Sequence, residues 1–289
     1  MSRLGFVGIG NMGLAMALRL RDAGHAVQVR DIDAGRVAQA VAAGATAAAT
    51  PAGLAGCELV IVAVVDAAQT REVLFGADGL AAALAPGATV MLCPTIAPAD
   101  TEACAARLAE RGIGCIDAPM SGGPERARDG TMSLMVACDD ALFARWQPVL
   151  CKLASRLLRI GERVGDGART KLVNNLLAAI NLAGAAEVMA LAGRLGLDAA
   201  RTLAVIEQSS GQSWIGSDRM QRALAGDAAP RAHMALLAKD SALALAAARA
   251  AGATLPVGEA AAAQFAAALA AGLARADDSA LWPWLAGRG

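Results

Sequence analysis

The fold is decided by residues 4–31, LGFVGIGNMGLAMALRLRDAGHAVQVRD. An apolar run leads into glycines with G-x-G-x-x-G spacing, and apolar positions then recur every three to four residues, as in an amphipathic helix. A second apolar run follows and ends at Asp31. This stretch predicts a strand, a tight turn, a helix and a second strand, which together open a parallel sheet.

The glycine loop indicates a site for a dinucleotide cofactor. Gly8 allows the tight turn, Gly10 lets the backbone approach a pyrophosphate, and Gly13 lets helix and strand pack closely. The backbone N–H groups of Asn11 and Met12 would face the phosphates at the helix N-terminus. Three glycines alone also make ordinary turns, but the flanking strand and helix favour the cofactor site.

Asp31 predicts a preference for NAD. A carboxylate at the end of the second strand can accept hydrogen bonds from the ribose hydroxyls, and it would repel the 2′-phosphate of NADP. Arg30 and Arg36 lie close in sequence and would partly offset that repulsion. We therefore predict NAD as the cofactor and keep NADP as the alternative.

The rest of the first half alternates apolar runs with helix-like segments, which is typical of βαβ units. Strands are predicted at residues 4–7, 26–29, 59–64, 89–92, 114–116 and 133–137. Beyond about Gly165 the sequence becomes continuously helix-forming, with a long helix predicted over residues 168–195. The sequence thus predicts an α/β parallel-sheet domain at residues 1–164 and an all-α domain at residues 165–289, joined by that helix.

Composition indicates a small-molecule partner. Lys and Arg number 26 and Asp and Glu also number 26, so a basic surplus for nucleic acid or an anionic membrane is lacking. The six cysteines form no C-x-x-C pair and the chain has two histidines, so we expect reduced thiols and no metal site. Polar residues interrupt the most apolar stretch, and the N-terminus lacks a signal-peptide pattern, so we expect a cytoplasmic protein without a membrane span.

A second glycine loop lies in DAPMSGGPERARDGTMSLMV, where Ser121, Gly122 and Gly123 follow a predicted strand. Successive backbone N–H groups and a hydroxyl form a concave anion site, suited to the carboxylate of a small acid. The alternative is a plain connecting loop, because Gly and Ser commonly form turns.

Polar residues interrupt the apolar pattern at the start of the long helix, in ARTKLVNNLLAAINLAG, residues 168–184. Asn174 and Asn175 follow Lys171 by three and four residues, so all three share a helix face, and Asp166 is a candidate cap or turn residue. A partly dehydrated lysine can exchange a proton with a substrate oxygen, which an amide would hold in place. The alternative is a solvated lysine beside asparagines that pack locally.

These motifs, in this order, resemble the β-hydroxyacid dehydrogenase family over nearly the whole chain. The matching motifs are GFVGIGNMGLAMA, DAPMSGG, GARTKLVNN and KDSALALAAARAAGATLP. The resemblance implies that Lys171 is the catalytic acid/base, that Asn175 assists it beside Asn174, and that the loop at residues 121–123 holds the substrate carboxylate. It also implies a Rossmann domain, a long connecting helix and an all-α domain that takes part in a homodimer or homotetramer.

The same resemblance implies further cofactor contacts. Thr95, in CPTIAP, matches a position that lines the nicotinamide, and Lys239 matches a lysine that approaches the cofactor from the helical domain. Val64 and Val65, in AVVDAA, would form the loop on the nicotinamide side, with Val65 where the family often has proline. Ala232 stands where the family usually has an aromatic residue.

The function predicted is an NAD(P)-dependent dehydrogenase of a small 3-hydroxy acid, which would work in reverse as a semialdehyde reductase. The stretch SSGQSW, residues 209–214, resembles the threonate-type branch most. The alternative is an NAD-binding regulatory protein on the same scaffold without turnover. Imine-reducing relatives typically replace the lysine that this sequence keeps at position 171.

Overall fold

The computed structural model describes residues 2–287, so the outermost ends of the two predicted domains lie outside the described residues. By internal contacts the chain divides into two compact units, one up to Lys171 and one from Leu172 onward. The division falls within a single helix, Asp166–Arg194.

Across the described residues, the first unit contains one sheet of nine strands in the order β3-β2-β1-β4-β5-β6-β8-β7, with β9 paired to β8. The strands from β1 to β6 are mutually parallel, whereas β8 is antiparallel to both β6 and β7. The strands are β1 (Arg3–Val7), β2 (Ala26–Arg30), β3 (Thr46–Ala47), β4 (Leu59–Val62), β5 (Thr89–Leu92), β6 (Gly114–Asp117), β7 (Met120–Ser121), β8 (Met132–Ala137) and β9 (Ala154–Gly161). This topology confirms the predicted α/β fold of Rossmann type.

Helices cover both faces of the sheet, and successive strand residues point to opposite faces. In β4, Leu59 and Ile61 join one apolar cluster, whereas Val60 and Val62 join the other. Burial on both sides explains why the strands are continuously apolar rather than alternating. The helices are α1 (Asn11–Asp22), α2 (Ala34–Ala42), α3 (Ala67–Phe75), α4 (Leu80–Ala83), α5 (Pro98–Ala109), α6 (Gly123–Asp129) and α7 (Asp140–Leu153).

All six predicted strands are present, and the structure differs from the prediction mainly at their ends. The strand predicted at residues 59–64 ends at Val62, because residues 63 and 64 leave the sheet for the loop before α3. The short strands β3 and β7 and the longer β9 were not predicted. β9 carries Arg156 and Arg159 among exposed and half-buried positions, so it lacks the apolar run that marks the inner strands.

The second unit is helical throughout its described residues, apart from loops and one short turn of 3₁₀ helix. The helices are α8 (Asp166–Arg194), which begins in the first unit, α9 (Ala199–Glu207), α10 (Trp214–Leu224), α11 (Met234–Ala250), α12 (Pro256–Ala270) and α13 (Leu281–Ala286). Asp198 and Ser213 cap α9 and α10 by accepting hydrogen bonds from Arg201 N and Gly216 N. The breaks between helices fall in Gly-containing segments such as residues 195–198 and 208–213, and the helical content confirms the predicted all-α second half.

A buried ionic network anchors the segment before α13 to α10. Arg222 donates from Nη1 to Asp277 Oδ1 at 2.9 Å and from Nε to Asp227 Oδ2 at 3.0 Å. Burial opposes ionisation of Asp277, but hydrogen bonds from Ser279 and from backbone N–H groups outweigh it and hold its pKa at about 2. The guanidinium and both carboxylates therefore compensate one another's loss of water.

Among the helices of the described residues, α8 alone is long and apolar enough to cross a membrane by length and composition, with a mean hydropathy of 1.7. A core helix of a soluble protein passes the same test. Leu182, Ala186 and Met189 on this helix lie in the apolar core of the second unit, together with Met220 and Phe265. The apolar character of α8 is thus partly explained by core packing.

The six cysteines are free thiols, and all of them lie within the described residues. Cys151 is exposed, whereas the other five are buried. Burial raises the pKa of Cys57 and of Cys138 to about 11. These buried thiols therefore stay protonated and pack as small apolar side chains.

Candidate active site

The topology brings the predicted residues of the first unit to one edge of the sheet. The glycine loop follows β1, Asp31 follows β2, and the loop with Val64 and Val65 follows β4. Thr95 follows β5, and the loop at residues 121–123 comes after β6. Since these strands are parallel neighbours, their carboxyl ends meet at the same edge, where α/β sheets bind their ligands.

The glycine loop has the geometry of a phosphate cradle. Gly8 has a φ of +84°, and a Cβ at Gly13 would lie 2.0 Å from the Gly8 carbonyl oxygen. The turn is therefore closed to any side chain at position 13. Gly10 stands at the N-cap of α1, whose first residues are Asn11 and the half-buried Met12, so backbone N–H groups face outward from the loop. These residues fit a dinucleotide pyrophosphate.

Asp31 is tied into the same loop. Its Oδ2 accepts a hydrogen bond from Ile9 N at 2.7 Å, and its Oδ1 accepts one from Asp33 N at 2.9 Å. The carboxylate is half-buried and fixed in place beside the glycine turn. A cationic group also lies here, because a Cβ at Gly10 would stand 2.8 Å from Arg36 Nη1. The carboxylate predicted to accept from the ribose thus lies near a guanidinium, the two groups expected to act in opposite directions on the choice between NAD and NADP.

The loops after β4 and β5 present three predicted cofactor contacts. Val64 is half-buried and packs against an apolar cluster of the sheet, and its side chain would touch a Cβ at Gly8. Val65 is 49% exposed, and its backbone N–H donates to Gln69 Oε1 at 3.0 Å. Thr95 is half-buried in the turn between β5 and α5. The half-buried Val64 therefore places an apolar side chain beside the glycine turn.

The loop predicted to bind substrate requires two glycines. Ser121 lies in β7 and pairs with Ser133 of β8, and it is followed by Gly122 with a φ of +134° and Gly123 with a φ of +77°. Residues with a Cβ rarely adopt these angles, so the backbone conformation depends on both glycines. All three residues are half-buried, and the chain turns there between the sheet and α6.

Asp117, which was not predicted as a site residue, ties this edge of the sheet to α8. It ends β6 and is 2% exposed, and its Oδ2 accepts hydrogen bonds from Gly165 N at 2.8 Å and Ala168 N at 3.0 Å. The helix begins at Asp166, which pairs with Arg169 instead of capping the helix. The signal in the sequence was a carboxylate at the end of an apolar strand.

Lys171 lies in the second turn of α8 and is 8% exposed. Asn175, one turn later, is also buried and donates from Nδ2 to Asp240 Oδ2 at 2.6 Å. Asn174 is exposed as a residue and donates from Nδ2 to Asn175 Oδ1 at 3.0 Å. The two amides therefore form a linked pair rather than two independent side chains.

Lys239 belongs to the same polar network in the second unit. Its Nζ lies 3.1 Å from Asp240 Oδ1, while the other oxygen of Asp240 accepts from Asn175. Asp240 is 5% exposed, so one buried carboxylate joins the asparagine motif on α8 to the lysine motif on α11. No role was predicted for Asp240 from the sequence. Its position beside a lysine predicted to bind cofactor was the available signal.

Within residues 2–287, groups of three or more His, Cys, Asp or Glu side chains placed to hold a metal ion are absent. The polar side chains described above are amides, carboxylates, hydroxyls and amines. They suit binding of an organic acid and transfer of a proton.

Family comparisons cover almost the whole chain. A family model described as the NAD binding domain of 6-phosphogluconate dehydrogenase matches residues 3–161. A second, described as the NAD-binding domain of NADP-dependent 3-hydroxyisobutyrate dehydrogenase, matches residues 165–285. The first alone spans more than half of the chain.

Individual relatives agree with these family matches. The chain is 38% identical over 283 residues to an L-threonate dehydrogenase of Cupriavidus necator, covering 97% of this chain and 95% of that protein. Among solved structures, a 3-hydroxyisobutyrate dehydrogenase of Salmonella typhimurium matches with a TM-score of 0.91 and 37% identity over 98% of this chain and all of that chain. A Mycobacterium tuberculosis 3-hydroxyisobutyrate dehydrogenase with L-serine matches over both full lengths with a TM-score of 0.87 and 31% identity. This chain belongs to the β-hydroxyacid dehydrogenase family.

Proposed function

We propose that this protein is an NAD(P)-dependent dehydrogenase that oxidises a small 3-hydroxy acid at the carbon bearing the hydroxyl group. The observation that carries the proposal is the buried amine of Lys171 at the start of α8, on the helix that also carries Asn175. Burying a lysine amine costs free energy because the amine loses its hydration. Buried lysines are therefore often functional residues.

In the proposed reaction the unprotonated amine of Lys171 takes the proton of the substrate hydroxyl. Asn175, whose amide is oriented by Asp240, holds the substrate oxygen beside that amine. The loop at residues 121–123 binds the substrate carboxylate through backbone N–H groups and the Ser121 hydroxyl. When bound, the nicotinamide supplies the hydride acceptor. In the reverse direction the Lys171 ammonium returns its proton to the carbonyl oxygen of a semialdehyde.

For the cofactor we propose NAD rather than NADP. Support comes from Asp31, whose carboxylate is fixed beside the glycine turn. A carboxylate at the end of this strand would accept from ribose hydroxyls and repel a 2′-phosphate. Arg36 beside Gly10 reduces that repulsion, so discrimination between the two cofactors would be incomplete. The other cofactor contacts in the proposal are those of Gly8, Asn11, Met12, Gly13, Val64, Val65, Thr95 and Lys239.

We also propose a homo-oligomer, either a dimer or a tetramer. Support comes from an apolar stripe on α8, formed by Val173, Leu177, Val188 and Leu191, which are 72%, 57%, 47% and 52% exposed. Their spacing of four, eleven and three residues keeps them within one face of the helix. Such a contiguous exposed apolar face is typical of a surface that a second copy covers.

We also propose two domains, residues 1–164 and 165–289, and a cytoplasmic location, as predicted from the sequence. The boundary between residues 164 and 165 is supported by the family models, which end at 161 and begin again at 165. The contact-based division lies a few residues later because the first turns of α8 pack in the first unit. A cytoplasmic location is supported by six cysteines that are all free, as in reducing compartments.

A substrate panel tests the function. L-threonate, D-glycerate, L-serine and 3-hydroxyisobutyrate are each incubated with the protein and either NAD or NADP, and the reduced cofactor is followed by absorbance. We expect turnover with at least one acid, and product analysis will show which hydroxyl carbon has been oxidised. Tight binding of NAD without turnover of any acid would favour the regulatory protein instead.

A further inference from the structure

The N-terminus of α8 is capped from a different element of the fold. Gly165 precedes the helix and cannot supply a capping side chain, and Asp117, at the end of β6, takes its place. Its Oδ2 accepts from Gly165 N and Ala168 N, and Gly167 N also donates to the carboxylate. Asp166 N donates to Arg163 O at 3.2 Å, so each of the first four N–H groups of the helix end has a partner.

Gly167 packs so closely against Asp117 that position 167 has no room for a side chain. A Cβ at Gly167 would lie 2.9 Å from both Cγ and Oδ2 of Asp117, and 2.8 Å from Met135 O. The helix end is therefore fitted against the carboxylate and the adjacent strand β8. Lys171 follows Ala168 by three residues on the same rigid helix, so a shift of the capped turn would move its amine.

The same residue also begins the substrate loop. Asp117 is followed after four residues by Ser121, and its backbone is held in the sheet between β5 and β8. One buried carboxylate thus fixes the distance between the sheet edge that bears the loop at residues 121–123 and the helix turn that bears Lys171.

We propose that Asp117 is a positioning residue for the dehydrogenase reaction, which sets the Lys171 amine against the substrate loop by capping α8 from the end of β6. The inference rests on the proposed function, because it assigns the capped helix to proton transfer. Asp117 itself does not exchange a proton with the substrate in this scheme.

Keeping Asp117 ionised costs free energy in the folded state, which argues against a purely structural cap. Burial raises its pKa from 3.8 to about 6, although the backbone N–H groups of Ala168, Gly165 and Gly167 act to lower it. Because the folded-state pKa is raised, this group favours the folded state most below pH 3.8, and that contribution is lost as the pH rises through 6. A neutral amide at this position therefore avoids the free-energy cost of burying a charge.

The titratable groups around Asp117 include one carboxylate and three thiols. Asp166 on α8 raises the pKa of Asp117 and is paired with Arg169 at 2.9 Å. The thiols that face it are Cys93 after β5, Cys115 in β6 and Cys138 after β8, and burial raises the pKa of each above its usual value. These thiols remain neutral near pH 6.

The test compares Asp117→Asn with Asp198→Asn. The control removes the carboxylate cap of α9, which accepts from Arg201 N at 2.8 Å, and α9 carries none of the proposed site residues. We expect Asp117→Asn to lower kcat by about tenfold to a hundredfold, as small displacements of reacting groups do. The Kd for NAD and the melting temperature should stay near the wild-type values, and Asp198→Asn should leave kcat unchanged.

The pH profile separates positioning from a merely structural role. Protonation of Lys171 slows the oxidation at low pH in both proteins, so the two pH profiles are compared as a ratio. The ratio of wild-type kcat to Asp117→Asn kcat should fall toward one below about pH 6, because the acid limb that Asp117 adds is missing in the variant. A variant with wild-type kcat and an intact acid limb would overturn the inference. So would a variant that loses stability while each folded molecule keeps the wild-type kcat.

A second measurement uses the wild-type protein and does not depend on the variant folding. Amide hydrogen exchange at Gly165, Gly167 and Ala168 should speed up as the pH falls, after correction for intrinsic exchange, with the same midpoint as the kcat ratio. Unrelated midpoints would overturn the inference. If the wild type shows no turnover with any hydroxy acid, the proposed function fails, and the exchange data still report on the cap.

Discussion

Residue 171 is a lysine that is 8% exposed, although lysine is among the side chains that are most rarely buried. The sequence alone placed it on a helix with Asn174 and Asn175, but left open a solvated lysine. Burial of Lys171 and of Asn175 excludes that simple alternative. Asn174 is different, because it lies exposed and is linked to the buried Asn175 by a hydrogen bond.

Lys171→Ala should fold and bind NAD but lose kcat by about a hundredfold or more, because a positioned acid/base is removed. Steady-state kinetics with the best acid of the panel, together with NAD titration, measure both properties. Lys152→Ala, which removes an exposed lysine at the end of α7, is the matched control and should turn over normally. Normal turnover by Lys171→Ala would remove Lys171 from the mechanism.

Asp31→Ala should relax the discrimination against NADP. It removes an acceptor for the ribose and a repulsive charge, and a loss of about 1.5 kcal/mol corresponds to about a tenfold change in the NAD to NADP ratio of kcat/KM. Asp33→Ala serves as the control, because Asp33 is a nearby exposed carboxylate that caps α2 through Gly35 N and Arg36 N. Equal ratios before and after the Asp31 change would show that this residue does not read the ribose.

At the scale of elements, the sequence predicted those whose residues carry a strong local pattern. The apolar strands β1 and β5 agree closely with the predictions, because burial on both faces leaves a continuous apolar run in the chain. The long helix α8 also agrees within two residues at each end, since helix-forming residues continue through its polar positions. β9 was missed because its two arginines break the apolar run. Contacts between distant positions were also missed, since no local pattern marks the pairing of Asp117 with residues 165–168 or of Asp240 with Asn175.

Gly123→Ala should raise the KM for the hydroxy acid and leave the Kd for NAD unchanged. Its φ of +77° is strained for alanine by about 1 kcal/mol, while a Cβ would meet nothing within 4 Å, so the loop conformation rather than a clash is tested. Gly87→Ala is the matched control, with a φ of +86° and equally open space in a turn between α4 and β5. Both variants should lose similar stability in denaturant titrations, and a KM effect shared by both would refute the assignment of the loop.

At the scale of the whole molecule, exposed apolar residues are concentrated on α8. Core packing explains Leu182, Ala186 and Met189 on this helix, but not the apolar stripe that includes Leu177 and Leu191. The sequence could predict an apolar helix, yet it could not separate the buried face from the exposed one, because apolar residues occur all around it. The proposed interface between copies would cover this second face.

Leu177→Glu combined with Leu191→Glu should reduce the oligomer to a smaller species, because two charges would be buried where the copies meet. Sedimentation velocity over a range of protein concentrations measures the change. Val205→Glu is the control, since Val205 is 65% exposed on α9 and lies outside the stripe. An unchanged sedimentation coefficient for the double variant would remove the stripe from the interface.

The unequal burial of the cysteines also has a practical consequence. A maleimide dye reacts with thiolates that solvent can reach, and Cys151 on α7 is the exposed thiol. Burial raises the pKa of Cys93, Cys104 and Cys115 as well as that of Cys57 and Cys138, which keeps these five thiols unreactive in the folded state. The native protein should therefore accept a single fluorophore at Cys151 without any prior mutagenesis, and the appearance of further labelled sites would report unfolding of the sheet unit.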